Sequence, residues 1–231
     1  MIVSHRHRFI FLKTRKTAGT SIEVALSRVC GDDDIITPIA PEDEAVRGEL
    51  GYRGPQNDLV PFHRYRKRDW RRLLVKHRRA RFYNHMRAVD ARALLGDEVW
   101  NSYFKFSFDR NPWDRMVSAY FWIKFRTGNA DLPFNEFLVQ QRPYILSNYG
   151  IYSIDSRVAV DFVGRYETLV DDFNRALAQI GITEPLELPR LKAKARTDKR
   201  PYRELITPDE ERFIASHCQA EIALMGYRFA S

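Results

Sequence analysis

A run of cationic and hydroxyl-bearing residues near the amino end is the first candidate for chemistry. It comprises Arg15, Lys16, Thr17, Ala18, Gly19, Thr20 and Ser21. Residues 9–12 are apolar and typical of a buried strand, and residues 22–29 carry apolar side chains at helical spacing. A turn from a strand into a helix directs backbone N–H groups and the positive end of the helix dipole toward one point. We therefore predict a site for a phosphate or sulfate ester, with Lys16 at its edge and hydroxyl donors from Thr17, Thr20 and Ser21.

The same turn has two other interpretations. A turn rich in Thr and Ser can simply cap the following helix. A nucleoside-triphosphate P-loop would need the pattern G-x-x-x-x-G-K-[ST], but no Gly stands five residues before Gly19 and no Lys follows it. Binding of Mg²⁺ in the manner of that loop is therefore not predicted.

A second motif with anion-binding residues lies at 103–120. Its first half alternates aromatic and polar residues, as a strand does, and its second half begins like a helix. Asn111 suits the N-cap and Pro112 the first helical position. Arg110 then stands at the strand end, and Ser118 lies about two turns into the helix. Both side chains could face one anion, Arg110 as a bidentate donor and Ser118 through its hydroxyl.

Together the two motifs resemble those of the sulfotransferases that use 3'-phosphoadenosine-5'-phosphosulfate (PAPS), in particular the carbohydrate-type branch. In that family a K-T-x-G-T-S type loop binds the 5'-phosphosulfate, and an R-x-P-x-x-R-x-x-S-x-Y segment binds the 3'-phosphate. Residues 34–39 and 164–169 also resemble bacterial members, so the resemblance spans most of the chain. It departs at Arg15, where the family often has Pro.

The resemblance implies roles for individual residues. Residues 15–21 would bind the phosphosulfate and Lys16 would act in catalysis, while Arg110 and Ser118 would bind the 3'-phosphate. A loop near the carboxyl end of these enzymes also contacts that phosphate, which makes Lys194 and Arg196 candidates. PAPS would be the sulfate donor, and no metal ion is predicted because His and Cys are scattered and no paired acids have ligand spacing.

The resemblance also implies a catalytic base. In the branch that includes heparan sulfate 2-O-sulfotransferase, the base is a His between the two PAPS motifs, and His85 is the best match. An imidazole is neutral near pH 7 and can accept the proton of an incoming hydroxyl. His63 and an acid within residues 42–44 are the alternatives.

These residues need a sheet to position them. Strand and helix patterns repeat along the chain, with a strand predicted at 158–163 and helices at 112–125 and 170–180. Such repeats favour a parallel sheet covered by helices, with ligands at the carboxyl ends of its strands. We predict an α/β fold with a P-loop-like parallel sheet flanked by helices, in a single domain over residues 1–231.

Residues 31–81 are predicted as a long loop or lid that carries a basic insert. In the resembling enzymes this region lies near the acceptor. Between residues 62 and 81 stand ten Lys or Arg residues, interleaved with Tyr65 and Trp70. Such a stretch can bind an acidic polysaccharide or a nucleic-acid backbone, or can form a solvated helix face. No nucleic-acid module accompanies it, so nucleic acid is not a predicted partner.

Composition narrows the partners and the compartment. The formal net charge of +8 indicates an anionic ligand. No apolar run is long enough for a membrane span, and the apolar run at the amino end is too short for a signal peptide. Cys30 and Cys218 form neither a disulfide framework nor a metal pattern. We expect a cytoplasmic protein.

The expected function is transfer of a sulfuryl group from PAPS to a hydroxyl of an acceptor, a carbohydrate or glycoconjugate that can be acidic. One alternative is a P-loop-type small-molecule kinase. The other is a protein that binds polyanions without catalysis. The sequence leaves the identity of the acceptor and the oligomeric state open.

Overall fold

The structure, a computed structural model, describes residues 1–141, 143–191 and 196–229, and within these ranges five strands form one central sheet. The described residues contain seven strands in all: β1 (Ile2–Ser4), β2 (Phe9–Phe11), β3 (Ile35–Ile36), β4 (Phe104–Asp109), β5 (Ser153–Ile154), β6 (Arg157–Val158) and β7 (Phe162–Arg165). The order in the sheet is β3-β1-β2-β4-β7, while β5 and β6 pair separately. Strands β2, β4 and β7 are parallel, which confirms the predicted parallel arrangement. Strand β1 runs antiparallel to both of its neighbours, so the complete sheet is mixed.

Helices cover both faces of this sheet. They are α1 (Gly19–Ser27), α2 (Pro41–Glu49), α3 (Lys67–Lys76), α4 (Ala88–Leu95), α5 (Asp97–Ser102), α6 (Pro112–Thr127), α7 (Phe134–Gln140), α8 (Pro143–Leu146), α9 (Tyr149–Tyr152), α10 (Leu169–Gln179), α11 (Pro208–His217) and α12 (Gln219–Met225). Asn111 caps α6 as predicted, since its side chain accepts hydrogen bonds from the N–H groups of Trp113 and Asp114. None of the helices in the described ranges has both the length and the apolarity needed to cross a membrane.

Alternating side chains of the strands form two separate cores. On one face, Ile10 packs in a cluster with Trp100 of α5. On the other face, Phe11 and Phe106 pack in a cluster with Phe173 of α10. Because successive residues of a strand point to opposite faces, β2 contributes to both cores. The carboxyl ends of β2 and β4 therefore lie at one edge of a sheet that is fixed from both sides.

The strand predicted at 158–163 is wrong in its bounds. Residues Asp155 and Ser156 both adopt positive φ, 47° and 59°, and join β5 to β6. A two-residue turn of this kind matches the twist of a tight hairpin, so the chain folds back there. Strand β7 begins only at Phe162, after this hairpin.

Residues 31–81 contain more regular structure than a long loop. They include β3, α2, a 3₁₀ turn at Phe62–Arg64 and α3. Isolated bridges connect Ile36 with Gln56 and Leu59 with Arg81. These bridges join parts of the segment to one another, and β3 attaches it to β1 of the central sheet. Its predicted role as a lid stays a prediction.

Candidate active site

The predicted anion loop leaves β2 and enters α1 through a left-handed backbone. Lys16 has φ of 62° and Ala18 has φ of 58°. Left-handed residues in such a turn direct successive N–H groups to one side and form a concave site for an anion. Ala18 is the N-cap of α1 and contributes no side-chain cap. The N–H of Ile22 donates to the carbonyl of Ala18 at 3.1 Å, so the N–H groups of residues 19–21 precede the first helical hydrogen bond.

Hydroxyl groups stabilise the inside of this loop. The Oγ1 atoms of Thr14 and Thr17 are 2.8 Å apart, and Thr14 also donates to the carbonyl of Phe108 in β4. Thr17 is fully buried, so its hydroxyl serves the loop rather than its outer surface. Thr20 and Ser21 are buried in the first turn of α1. Of the three predicted hydroxyl donors, that of Thr17 is therefore engaged within the loop.

The lack of a side chain at Gly19 leaves room for the buried side chain of Lys13 next to the loop. A Cβ atom at Gly19 would lie 2.7 Å from Cγ of Lys13. The Nζ atom of Lys13 contacts Oε2 of the fully buried Glu23 at 2.5 Å. Burial alone would raise the pKa of Glu23, but the nearby charges of Lys13 and the Met1 ammonium outweigh it and lower the pKa to about 2. The ion pair therefore fixes the side chain of Lys13, which cannot easily move to make room for a Cβ atom at residue 19.

We expect Gly19→Ala to destabilise the protein by roughly 1–3 kcal/mol, because the new methyl group overpacks the stem of Lys13. Thermal unfolding should show the loss. Gly48→Ala is the matched control, since a Cβ at Gly48 in α2 meets nothing within 4 Å. That control should be neutral or stabilising by up to about 1 kcal/mol, given the helix propensities of the two residues. Equal melting temperatures for Gly19→Ala and wild type would contradict the close packing of the loop.

His85 lies against the same loop, as its predicted role requires. Its Nδ1 atom is 3.1 Å from the carbonyl oxygen of Lys13. Because a carbonyl only accepts hydrogen bonds, Nδ1 must carry the proton and Nε2 keeps a lone pair. Burial and the charges of Lys13 and Arg15 lower the pKa of His85 to about 3, so the imidazole is neutral at pH 7.

The two alternatives for the base, His63 and an acid within residues 42–44, lie in environments different from that of His85. His63 lies in the exposed 3₁₀ turn and lines a groove with His5 and Asn57. Within residues 42–44, the carboxylate of Glu44 accepts from the N–H of Ile39 at 2.8 Å and pairs with Arg47. Of the three candidates, His85 is the one described in contact with the backbone of the anion loop.

Arg110 joins the second motif to the first. Its Nη1 atom donates to the carbonyl oxygen of Lys16 at 3.0 Å. Its Nε and Nη2 atoms contact Oδ2 of Asp114 at 2.9 and 2.6 Å, and its guanidinium lies 3.9 Å from the ring centroid of Tyr166. The two turns that the sequence places almost a hundred residues apart therefore touch.

A residue from the carboxyl-terminal part reaches the same carboxylate. Nη1 of Arg196 contacts Oδ1 of Asp114 at 2.9 Å. Arg110 and Arg196 thus share one carboxylate, which leaves the cluster with a net positive charge. Lys194, the other candidate from this part of the chain, lies outside the described residues.

The face of α6 after Asp114 also lies beside the loop. Ser118 and Trp122 follow at intervals of four residues and therefore share that face. The Nζ atom of Lys16 is 5.4 Å from the ring centroid of Trp122. Ser118 lies between these two contacts and is half-buried. The structure thus brings the loop, Arg110, Ser118 and Arg196 into one region.

Asn148 belongs to this site although no motif indicated it. Its Oδ1 accepts from the N–H of Arg15 at 3.0 Å, and its Nδ2 donates to the carbonyl of Arg15 at 3.1 Å. The same Nδ2 donates to Oδ1 of Asp109 at 3.2 Å, and the Asn148 N–H donates to Oε1 of Glu221 at 2.8 Å. Asn148 therefore binds both the N–H and the carbonyl group of Arg15 and connects them to a buried network of hydrogen bonds.

The centre of that network is Asp109 at the end of β4. Its carboxylate accepts from the hydroxyl of Tyr152 at 2.6 Å and from the N–H of Arg110 at 2.8 Å. Burial raises the pKa of Asp109 to about 6 although Arg115 lies nearby. These contacts fix the backbone at the start of the second motif.

Potential metal ligands are scattered over the part of the chain that the structure describes. Among residues 1–141, 143–191 and 196–229, no cluster of three or more His, Cys, Asp or Glu residues is arranged to hold a metal ion. Cys30 and Cys218 are buried thiols. The groups described at the site are backbone amides, cations, hydroxyls, an imidazole and the carboxylates of Asp109 and Asp114.

Comparison with known proteins points to one family. The sequence profile of the "Sulfotransferase family" matches residues 1–222. An uncharacterized protein of Archaeoglobus fulgidus is 35% identical over 97 residues, which cover 41% of this chain and 81% of that protein. "Carbohydrate sulfotransferase 11" of Danio rerio is 31% identical over 133 residues, covering 42% of this chain and only 38% of that protein.

A solved structure is also similar. The crystal structure of a sulfotransferase from Alicyclobacillus acidocaldarius aligns over 96% of this chain and 97% of its own, with 16% identity and a TM-score of 0.43. The assignment rests on the family profile, because it spans nearly the entire sequence, from the anion loop through Arg110 and Arg196. This chain belongs to the sulfotransferase family.

Proposed function

We propose that the protein transfers a sulfuryl group from PAPS to a hydroxyl of a carbohydrate or glycoconjugate. The observation that carries the proposal is the 3.0 Å contact between Arg110 and the carbonyl of Lys16. It brings together the two motifs that would bind opposite ends of one nucleotide. Membership of the sulfotransferase family supports the reaction class.

The residues of the site fit such a donor. The uncapped N-terminus of α1 and the N–H groups of residues 16–21 suit the 5'-phosphosulfate. Arg110, Arg196 and Ser118 suit the 3'-phosphate, because two guanidinium groups share only one carboxylate there. When bound, PAPS supplies the activated sulfuryl group.

Two side chains then act on the reaction. Nε2 of His85 accepts the proton of the acceptor hydroxyl, since Nδ1 is occupied by the Lys13 carbonyl. Nζ of Lys16 stabilises the negative charge that develops on the phosphate oxygen of the leaving nucleotide. Asn148 holds the backbone of Arg15 and so keeps the adjacent Lys16 in position.

The nature of the acceptor rests on weaker support. The name of the Danio rerio relative indicates a carbohydrate substrate for that protein. The net charge of +8 suits an acidic saccharide. A cytoplasmic location remains a prediction from the sequence.

Thermal shift measurements can separate the candidate functions. We expect adenosine 3',5'-bisphosphate to raise the melting temperature more than ATP with Mg²⁺, because at equal concentration the ligand that binds more tightly stabilises the folded state more. A response to ATP with Mg²⁺ alone would favour a kinase. A response to a heparin-like polymer alone would favour a polyanion-binding protein.

Replacement of Arg110 by Gln should weaken the binding of adenosine 3',5'-bisphosphate by roughly 10- to 100-fold, since charge-assisted hydrogen bonds are worth about 1.5–3 kcal/mol. Calorimetric titration measures this affinity. Arg110→Lys keeps the charge but loses the planar fork, and should recover only part of it. Unchanged affinity in Arg110→Gln would argue against the phosphate role.

A further inference from the structure

The basic segment between residues 62 and 81 has no part in the reaction described above. Its helix α3 is joined to the body of the protein by ion pairs between its amino-terminal end and α4. Asp69 is buried and accepts from the N–H of Arg66 at 3.0 Å. Arg66 and Arg68 both contact Oδ1 of Asp90, at 3.2 and 3.1 Å. The opposite side of α3 therefore points to solvent in a fixed orientation.

That outer side is apolar as well as basic. Leu74 is 72% exposed, Val75 68% and Trp70 44%. Phe62 is also exposed, and its ring stacks on Trp70 with centroids 5.9 Å apart. We call these four residues the α3 patch. Large apolar side chains exposed together indicate an interaction surface.

Positive charges border the α3 patch. Besides Arg68, which pairs with Asp90, four exposed basic residues belong to α3 itself: Lys67, Arg71, Arg72 and Lys76. Trp70 and Leu74 are four residues apart and share one stripe of the helix, and Lys67 and Arg71 begin the neighbouring stripe. The partner must therefore offer negative charge and an apolar phase at the same place.

We infer that the α3 patch docks on the surface of an anionic lipid bilayer. A basic helix that also exposes Trp and Leu is suited to the boundary between headgroups and acyl chains. An acidic polysaccharide or a nucleic-acid backbone would satisfy the arginines, but it would leave Leu74 and Val75 in water. This inference goes beyond sulfate transfer and does not depend on it.

Vesicle sedimentation tests the inference with the full chain. We expect binding to phosphatidylcholine vesicles that contain about a third phosphatidylglycerol, at about 0.1 M salt, and little binding to phosphatidylcholine alone. Leu74→Ser should weaken binding roughly 5- to 10-fold. Val139→Ser is the matched control, because Val139 is 75% exposed on α7 and should bind like wild type.

Two further measurements separate the contribution of the positive charges from the insertion of apolar side chains into the bilayer. Replacement of Arg71, Arg72 and Lys76 by Gln should abolish binding, whereas the same change at Arg92, Arg157 and Arg212 removes equal charge elsewhere and should retain most of it. Trp70 emission should shift to the blue on binding, and Trp70→Phe should lose that shift.

Three results would overturn the inference. Equal binding by Leu74→Ser and wild type, together with retained binding to heparin, would assign the segment to a soluble polyanion. Equal loss in both charge variants would indicate nonspecific electrostatics. Absence of vesicle binding by the folded wild-type protein would exclude a bilayer as the partner.

Discussion

Lys16→Ala is expected to lose roughly 100-fold or more in turnover, by analogy with the removal of a single oxyanion donor. In the proposed reaction the ammonium group acts on charge that develops only in the transition state, so the loss should fall on kcat. The loop amides and Arg110 remain, and adenosine 3',5'-bisphosphate should still bind. Single-turnover sulfate transfer and calorimetric titration measure the two effects separately.

The control for Lys16→Ala is a second cation that lies over the ring of Trp122. Arg126 also lies over Trp122, 5.1 Å from its centroid, but belongs to the exposed end of α6. Arg126→Ala should therefore retain turnover. Near-normal turnover in Lys16→Ala would reject the assignment of Lys16, and equal losses in both variants would attribute the effect to Trp122.

His85→Asn is expected to lose about 10²- to 10⁴-fold in turnover, the usual contribution of a general base. Asn is the suitable replacement for two reasons. His85 has φ of 58°, which Asn tolerates better than most residues. The amide nitrogen of Asn can also keep the hydrogen bond to the Lys13 carbonyl, so the loop should stay in place.

His63→Asn provides the comparison for this prediction, because His63 is exposed and lies in a different groove. It should leave turnover unchanged. A large loss in His63→Asn with full activity in His85→Asn would assign the base to His63 instead of His85. Wild-type activity in both variants would leave an acid of residues 42–44 as the base.

The depressed pKa of His85 has a second consequence, for stability. The folded protein holds this imidazole neutral down to about pH 3, whereas the unfolded chain protonates it near pH 6.5. Between these values the unfolded state binds the extra proton, so stability falls as the pH falls. The difference in unfolding free energy between wild type and His85→Asn should therefore shrink or reverse from pH 6.5 toward 4, by at most about 1.4 kcal/mol per pH unit. Asp109, with its pKa raised to about 6, shifts stability in the opposite direction but does so in both proteins.

Local signals in the sequence were sufficient for the two anion motifs. The cap at Asn111 and the proline after it specify where α6 begins. The strand-to-helix pattern located the turn before α1, although no hydroxyl of that turn caps the helix. Strands β1 and β3 were not predicted, because three and two residues are too few to display a periodicity. The hairpin turn at Asp155 and Ser156 displaced the predicted third parallel strand for a reason that lies in backbone angles.

The contacts within the site were harder to foresee. Arg110 was predicted from its motif and Arg196 from the family resemblance, but Asp114, which both of them contact, was not predicted as a site residue. Asn148 stands in a polar stretch with no distinctive spacing, and its role depends on tertiary placement. Thr17 had the right residue type for an anion donor, yet packing turned its hydroxyl inward.

The anchoring of the loop by Asn148 affects how the protein folds. Asn148 itself is held by Glu221 of α12, so the backbone around Arg15 depends on a residue more than two hundred positions later. Contacts between such distant parts of a chain form late, because closing a long loop costs conformational entropy before any contact repays it. During synthesis on the ribosome, the turn at residues 15–21 therefore stays incomplete until the carboxyl-terminal helices have emerged, and a nascent chain that ends before α12 lacks the anchor for its own first motif.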